Sequence, residues 1–167
     1  FINIAALFYL FIGLLFFFFS FSGFGVKEWI KSLVLFAAVF GTNLFYYTVG
    51  EPGMSHIYSF AFIAAFFYYS RLYFTSFNRS YIIIVAMLLG MIVLIRPVNG
   101  LILFIWPFAA GDFSTLKRGF SNLVSHKLHL AGGILIFIAV CTIQLVIYKI
   151  STGKFFVYSY TGEGFDF

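Results

Sequence analysis

Long runs of Phe, Ile, Leu and Ala alternate with short connections that carry most of the charge, Gly and Pro. Inside hydrocarbon only a helix or a closed barrel satisfies every backbone N–H and C=O, and these runs lack the two-residue alternation of barrel strands. The pattern therefore predicts an all-α, polytopic transmembrane helical bundle of about six membrane segments, near 1–21, 33–49, 57–73, 81–95, 98–110 and 130–148. The fifth is short and interrupted by Pro107. Before the sixth, Leu116, Phe120, Leu123 and Val124 recur at helical spacing among Lys, Arg and His. Residues 114–129 are accordingly expected to form an interfacial amphipathic helix.

Composition supports a membrane protein. Of the 167 residues 63% are hydrophobic and 9% charged, against roughly half and a quarter in soluble domains. One transmembrane domain, 1–167, uses the whole length, and no separate water-soluble unit fits. Phe is over-used at 27 residues, which suits lipid-facing positions. The chain opens inside an apolar run without Met and closes on the polar "TGEGFDF", so it reads as an internal fragment of a longer protein. Cys141 is the sole cysteine, which excludes an intrachain disulfide.

Charge then orients the bundle. With strict alternation, the loops 26–32, 72–80 and 112–129, together with Arg71, hold seven of the Lys and Arg residues, and the opposite loops hold three. The positive-inside rule makes the first set cytoplasmic, provided that 98–110 crosses. The formal charge of +5 is spread over these loops, which suits anionic headgroups rather than nucleic acid. His126 and His129 sit i,i+3 with no carboxylate or thiol beside them, so no metal site is expected.

The candidate chemistry gathers at the predicted outer ends. Asn43, Tyr47 and Gly50 form one stripe if 33–49 is a continuous helix. Glu51 and His56 flank the Pro52–Gly53 turn, where Ser55 can cap the following helix, and either titratable group can serve acid/base chemistry. Arg96, in "LIRPVNG" with Asn99, can grip a phosphate through two parallel hydrogen bonds. In the sixth segment Gly133, Phe137, Cys141, Gln144 and Tyr148 share a face, with Gln144 expected to bond across helices. Glu163 and Asp166 lie in an aromatic, Gly-rich outer loop whose acids suit sugar recognition and plain solvation equally well.

The stretches "TNLFYYTVGEPGMSHIYSF", "GMIVLIRPVNGLIL" and "FFVYSYTGEGFDF" together resemble the middle part of bacterial GT-C class glycosyltransferases. These are relatives of protein mannosyltransferases and lipid A aminoarabinose transferases, of the Bacteroidetes type. The resemblance implies a multi-pass protein of the bacterial inner membrane. It also implies sugar transfer from a polyprenyl-phosphate carrier to an extracytoplasmic glycan, lipid or protein acceptor, with no cofactor. Carried over by position, Arg96 would bind the carrier phosphate. Glu51 and His56 would stand at the cavity mouth, and the Glu163–Asp166 loop would begin an outer segment above it. Family members keep their principal catalytic acid in a first outer loop that this chain lacks, so the chain alone is expected to be inactive. The rival readings are a secondary transporter, disfavoured because no predicted span carries a carboxylate or Lys, and a non-catalytic lipid-binding subunit.

Overall fold

Each interruption of the apolar pattern ends a helix. The computed structural model describes residues 1–21 and 24–155; the loop bearing Glu163 and Asp166 lies outside the described residues. Among the described residues the fold is all helical: α1 (Ile2–Ser20), α2 (Glu28–Phe40), α3 (Leu44–Val49), α4 (Ser55–Ser76), α5 (Ser80–Ile95), a 3-10 segment (Pro97–Ile105), α6 (Trp106–Ala110), α7 (Phe113–Ser125) and α8 (Lys127–Thr152).

Helix α4 is the hub, packed by α1 on one side and α5 on another, with α8 beyond α5. Its buried positions include Ala61, Ala64, Ala65, Phe66, Tyr73 and Phe74, so it faces protein over much of its surface. That position explains why α4 tolerates Ser and Tyr throughout its 22 residues. Small residues let the helices approach. A side chain at Gly13 would run into Phe60, and one at Gly90 into Val140. Such contacts supply the van der Waals packing that replaces a hydrophobic driving force between helices in lipid. Among the described residues no buried side-chain polar atom lacks a partner.

Two helices, α1 and α8, are long and apolar enough to cross a membrane. Large apolar side chains stay exposed around the bundle, among them Phe8, Phe11, Phe104, Phe108 and Ile150. An apolar surface this extensive is foreign to a water-facing monomer.

Helices α1 and α4 run parallel, since Gly53 lies beside Ile2, Tyr9 against Tyr58, and Phe16 against Tyr69. The segment after α5 runs the length of α4 instead of folding back. Asn99 bonds Ser59 near one end, Trp106 bonds Ser70 further along, and Ala109 packs with Tyr73 and Phe74 near the other end.

The structure departs from the pattern in four places. The predicted segment 33–49 is broken at residues 41–43. There the Thr42 hydroxyl bonds Ala38 O at 2.5 Å and accepts from Leu44 N–H at 3.2 Å, so a side chain replaces continuing helical bonds. The surface helix ends at Ser125 because His126, with φ −101° and ψ 60°, leaves the helical region. The N-cap of α4 is Met54, and Ser55 is already helical. Gln144 makes no interhelical hydrogen bond among the described residues; the close approach of α8 to α5 is made by Gly133 against Ile82 and Ala86.

Candidate functional site

Pro97 bars the α conformation to the residue before it. Arg96 is accordingly extended, at φ −151° and ψ 116°, and α5 stops at Ile95. Asn99 N–H then bonds Arg96 O at 2.9 Å, and the Asn99 amide donates to Ser59 Oγ at 3.0 Å. The first bond closes the "RPVN" turn, and the second fastens it to α4 through the buried Ser59.

The same end of the bundle holds the α3–α4 turn. Tyr58 OH donates to Pro52 O at 2.9 Å, and Met54 N–H to Glu51 O at 3.0 Å. His56, in the first turn of α4, stacks on Tyr47 of α3 with ring centroids 4.1 Å apart and planes 22° from parallel. An imidazole stacked on a phenol ring is oriented without using either of its nitrogens, which leaves both for a ligand.

Between these turns lies a cavity of about 350 Å³. Arg96, Asn99, His56, Tyr47, Asn43 and Ser59 line it, with Thr42 at its rim and Leu44, Phe60 and Ile63 as its apolar wall. Asn43 reaches it because the break at residues 41–43 makes it the N-cap of α3, and its side chain makes no capping bond. Among the described residues the one ion pair is Lys31 with Glu28, at 2.6 Å on the α2 side, so the Arg96 charge faces the cavity without a described carboxylate. A guanidinium, two amides, three hydroxyl-bearing side chains and an imidazole around one space form a polar receptor suited to an anionic, oxygen-rich ligand.

Five of the candidates read from the sequence, Asn43, Tyr47, His56, Arg96 and Asn99, thus converge from three separate stretches. Glu51 does not join them: its carboxylate accepts from Tyr46 OH at 2.8 Å, and it is absent from the cavity lining. Tyr46 and Tyr47 are one residue apart, about 100° around the helix, so Tyr46 draws the carboxylate away from the face that carries Tyr47. Gly50 is the C-cap of α3 and is not among the residues lining this cavity. The reading from sequence missed Ser59 and Thr42. Ser59 was traceable as the residue one turn after His56 on the same helical face.

No group of three His, Cys, Asp or Glu able to hold a metal occurs among the described residues. No protein family, curated protein or solved structure matches the chain, so the functional reading rests on the chemistry of this cavity.

Proposed function

We propose that this chain is a multi-pass protein of the bacterial cytoplasmic membrane, acting in sugar transfer from a polyprenyl-phosphate carrier to an extracytoplasmic acceptor. The observation that carries the proposal is the convergence of Arg96, Asn99, Asn43, Tyr47 and His56 on one cavity at the end of the bundle opposite most basic loops. In this reading Arg96 holds the carrier phosphate and stabilises its charge as the glycosidic bond breaks. Asn43 and Asn99 offer amides to sugar hydroxyls, with Tyr47 and His56 forming an aromatic wall. His56 is the one titratable base on the described lining, and it is the candidate to take the proton of the acceptor hydroxyl.

About six crossings fit the geometry. The nine residues of the 3-10 segment rise about 2.0 Å each and the five of α6 about 1.5 Å, so together they reach roughly 25 Å. This approaches the hydrocarbon thickness of about 30 Å, which a 14-residue α-helix would miss by more. His56, Arg96 and Asn99, from two loops that the charge rule assigns to the outside, share one cavity. Arg71, assigned to the inside, lies with its guanidinium 3.6 Å from the ring centroid of Phe24, next to the 26–32 loop assigned to the same side.

One observation favours a second reading. The described lining contains no carboxylate, and Glu51 is bonded to Tyr46, which suits a unit that binds the carrier without transferring the sugar.

Both readings are tested by polyprenyl-phosphate binding to the protein in lipid nanodiscs. Arg96→Ala should weaken binding about tenfold to a hundredfold, the range expected for losing charge-assisted hydrogen bonds worth roughly 1.5–3 kcal/mol. Unchanged affinity would remove the carrier site. His56→Gln, assayed in native membranes that carry out the transfer, separates the two readings: loss of transfer with carrier binding retained supports the transferase, and transfer unchanged by the substitution supports the binding unit.

A further inference from the structure

We infer that the opposite end of the bundle holds an anionic phospholipid, one acyl chain lodged between α5, α7 and α8 and its phosphate held by Arg79 and Lys127. This inference rests on the membrane reading and is independent of the carrier site.

The acyl site is a cavity of about 210 Å³. Its walls include Val85 and Leu89 of α5, Leu123 of α7, and Leu130, Ile134 and Phe137 of α8. Two lining residues carry polar groups, and both groups are used elsewhere. Tyr73 OH donates to Gly119 O at 2.7 Å, and Trp106 Nε1–H donates to Ser70 Oγ at 3.0 Å. Only hydrocarbon surface is left facing the space. Water needs polar partners to occupy a cavity, and engineered apolar cavities of about 150 Å³ stay dry and take up apolar molecules such as benzene. The occupant that fits is therefore a hydrocarbon chain. Leu103 and Ile134, 46% and 49% exposed, leave the space open sideways between the 3-10 segment and α8, toward the surrounding lipid.

The headgroup assignment follows from helix register. Helices α5 and α8 run parallel, with Gly133 against Ile82 and Ala86, and Gly90 against Phe137 and Val140. That register puts Arg79, the residue before α5, level with the first turn of α8, where Lys127 sits. Lys127 also shares one helical face with Leu130, Ile134 and Phe137, at i, i+3, i+7 and i+10, so the stripe that lines the cavity begins in a cation. Both basic residues are exposed, and residues 113–130 add Lys117 and Arg118 with no Asp or Glu. A cationic rim above a hydrocarbon slot complements a phosphate joined to an acyl chain. An anionic phospholipid of the leaflet on the basic side meets both demands, whereas the carrier's proposed phosphate site lies at the other end.

Lipid retention by the full chain is the test, read by native mass spectrometry after equilibration with phosphatidylglycerol, phosphatidylcholine or a polyprenyl phosphate. Phosphatidylglycerol should be retained at least about tenfold better than phosphatidylcholine. Lys127→Gln with Arg79→Gln should abolish that preference, Lys127→Arg should keep it, and Leu130→Trp, which fills the slot, should lower retention of both phospholipids. Arg96→Ala should leave phosphatidylglycerol retention unchanged, so this site and the carrier site can fail separately. Equal retention of the two phospholipids by the wild type would overturn the inference. So would preferential retention of the polyprenyl phosphate at Lys127 and Arg79, or wild-type retention in the Leu130→Trp variant.

Discussion

Arg96 and Asp112 show how a single position is set by its immediate chemical neighbours. Arg96 is delivered to the cavity by the proline that follows it, a relation readable from "RPVNG" alone. Glu51 was equally visible as a carboxylate at a turn, but its partner was not, because the choice between facing the cavity and bonding Tyr46 depends on how α3 is rotated. Asp112 caps α7 by accepting from Thr115 N–H at 2.9 Å, Ser114 OH at 2.6 Å and Thr115 OH at 2.7 Å. The hydroxyls of Ser114 and Thr115 hold its carboxyl well below the usual carboxylate range. Because folding lowers this pKa, the associated stabilisation is fully present above the unfolded value of about 3.9 and is lost as pH falls through the lower folded value. Asp112→Ala is therefore expected to lower the thermal midpoint at pH 7, with the gap to wild type narrowing below about pH 3. An equal gap at both pH values would contradict this role.

At the scale of the helix, apolar periodicity located most of the elements and glycine decided how they meet. The run 33–49 looked continuous because its residues are nearly all apolar, and the short "GTN" inside it held the turn chemistry that breaks it. The break is what turns Asn43 into the cavity wall. The helix read as 114–129 was legible from its amphipathic spacing, although it ends at Ser125, where His126 leaves the helical region. Its attachment was not: Gly119 sits against Phe74 so closely that an added Cβ would overlap the ring, and its carbonyl takes the Tyr73 hydroxyl. Such contacts between residues far apart in the chain leave no periodic trace. The α5–α8 interface gives the sharpest element-level prediction. A Cβ at Gly90 would lie 2.9 Å from Val140 Cβ, so Gly90→Leu should cost about 1–3 kcal/mol through overpacking. A wild-type unfolding midpoint in mild detergent would show that α5 and α8 do not rely on this close approach.

Across the whole molecule, the two ends of the bundle differ in chemistry. One end gathers the half-polar cavity with Arg96 and His56, and the other gathers the basic surface of α7 and the start of α8. Charge counting assigns the loops to two sides from the sequence alone, because alternation of short loops is a one-dimensional property. The cavity itself was legible only as a set of interruptions, since nothing local says that the stretches around residues 43, 56 and 96 face one another. Sugar transfer to an extracytoplasmic acceptor requires this cavity to open on the extracytoplasmic side. Cys141 is the single cysteine among these 167 residues, so Cys141→Ser removes the competing thiol of this stretch before sided labelling. The decisive measurement places one cysteine at Met54, which is 47% exposed beside the cavity turn, and treats intact cells with a membrane-impermeant maleimide. Met54→Cys is expected to be labelled from outside, while a cysteine at Ser121 on α7 reacts only after the membrane is opened. Labelling of Met54→Cys only from the cytoplasmic side would invert the bundle and contradict the proposed site of sugar transfer.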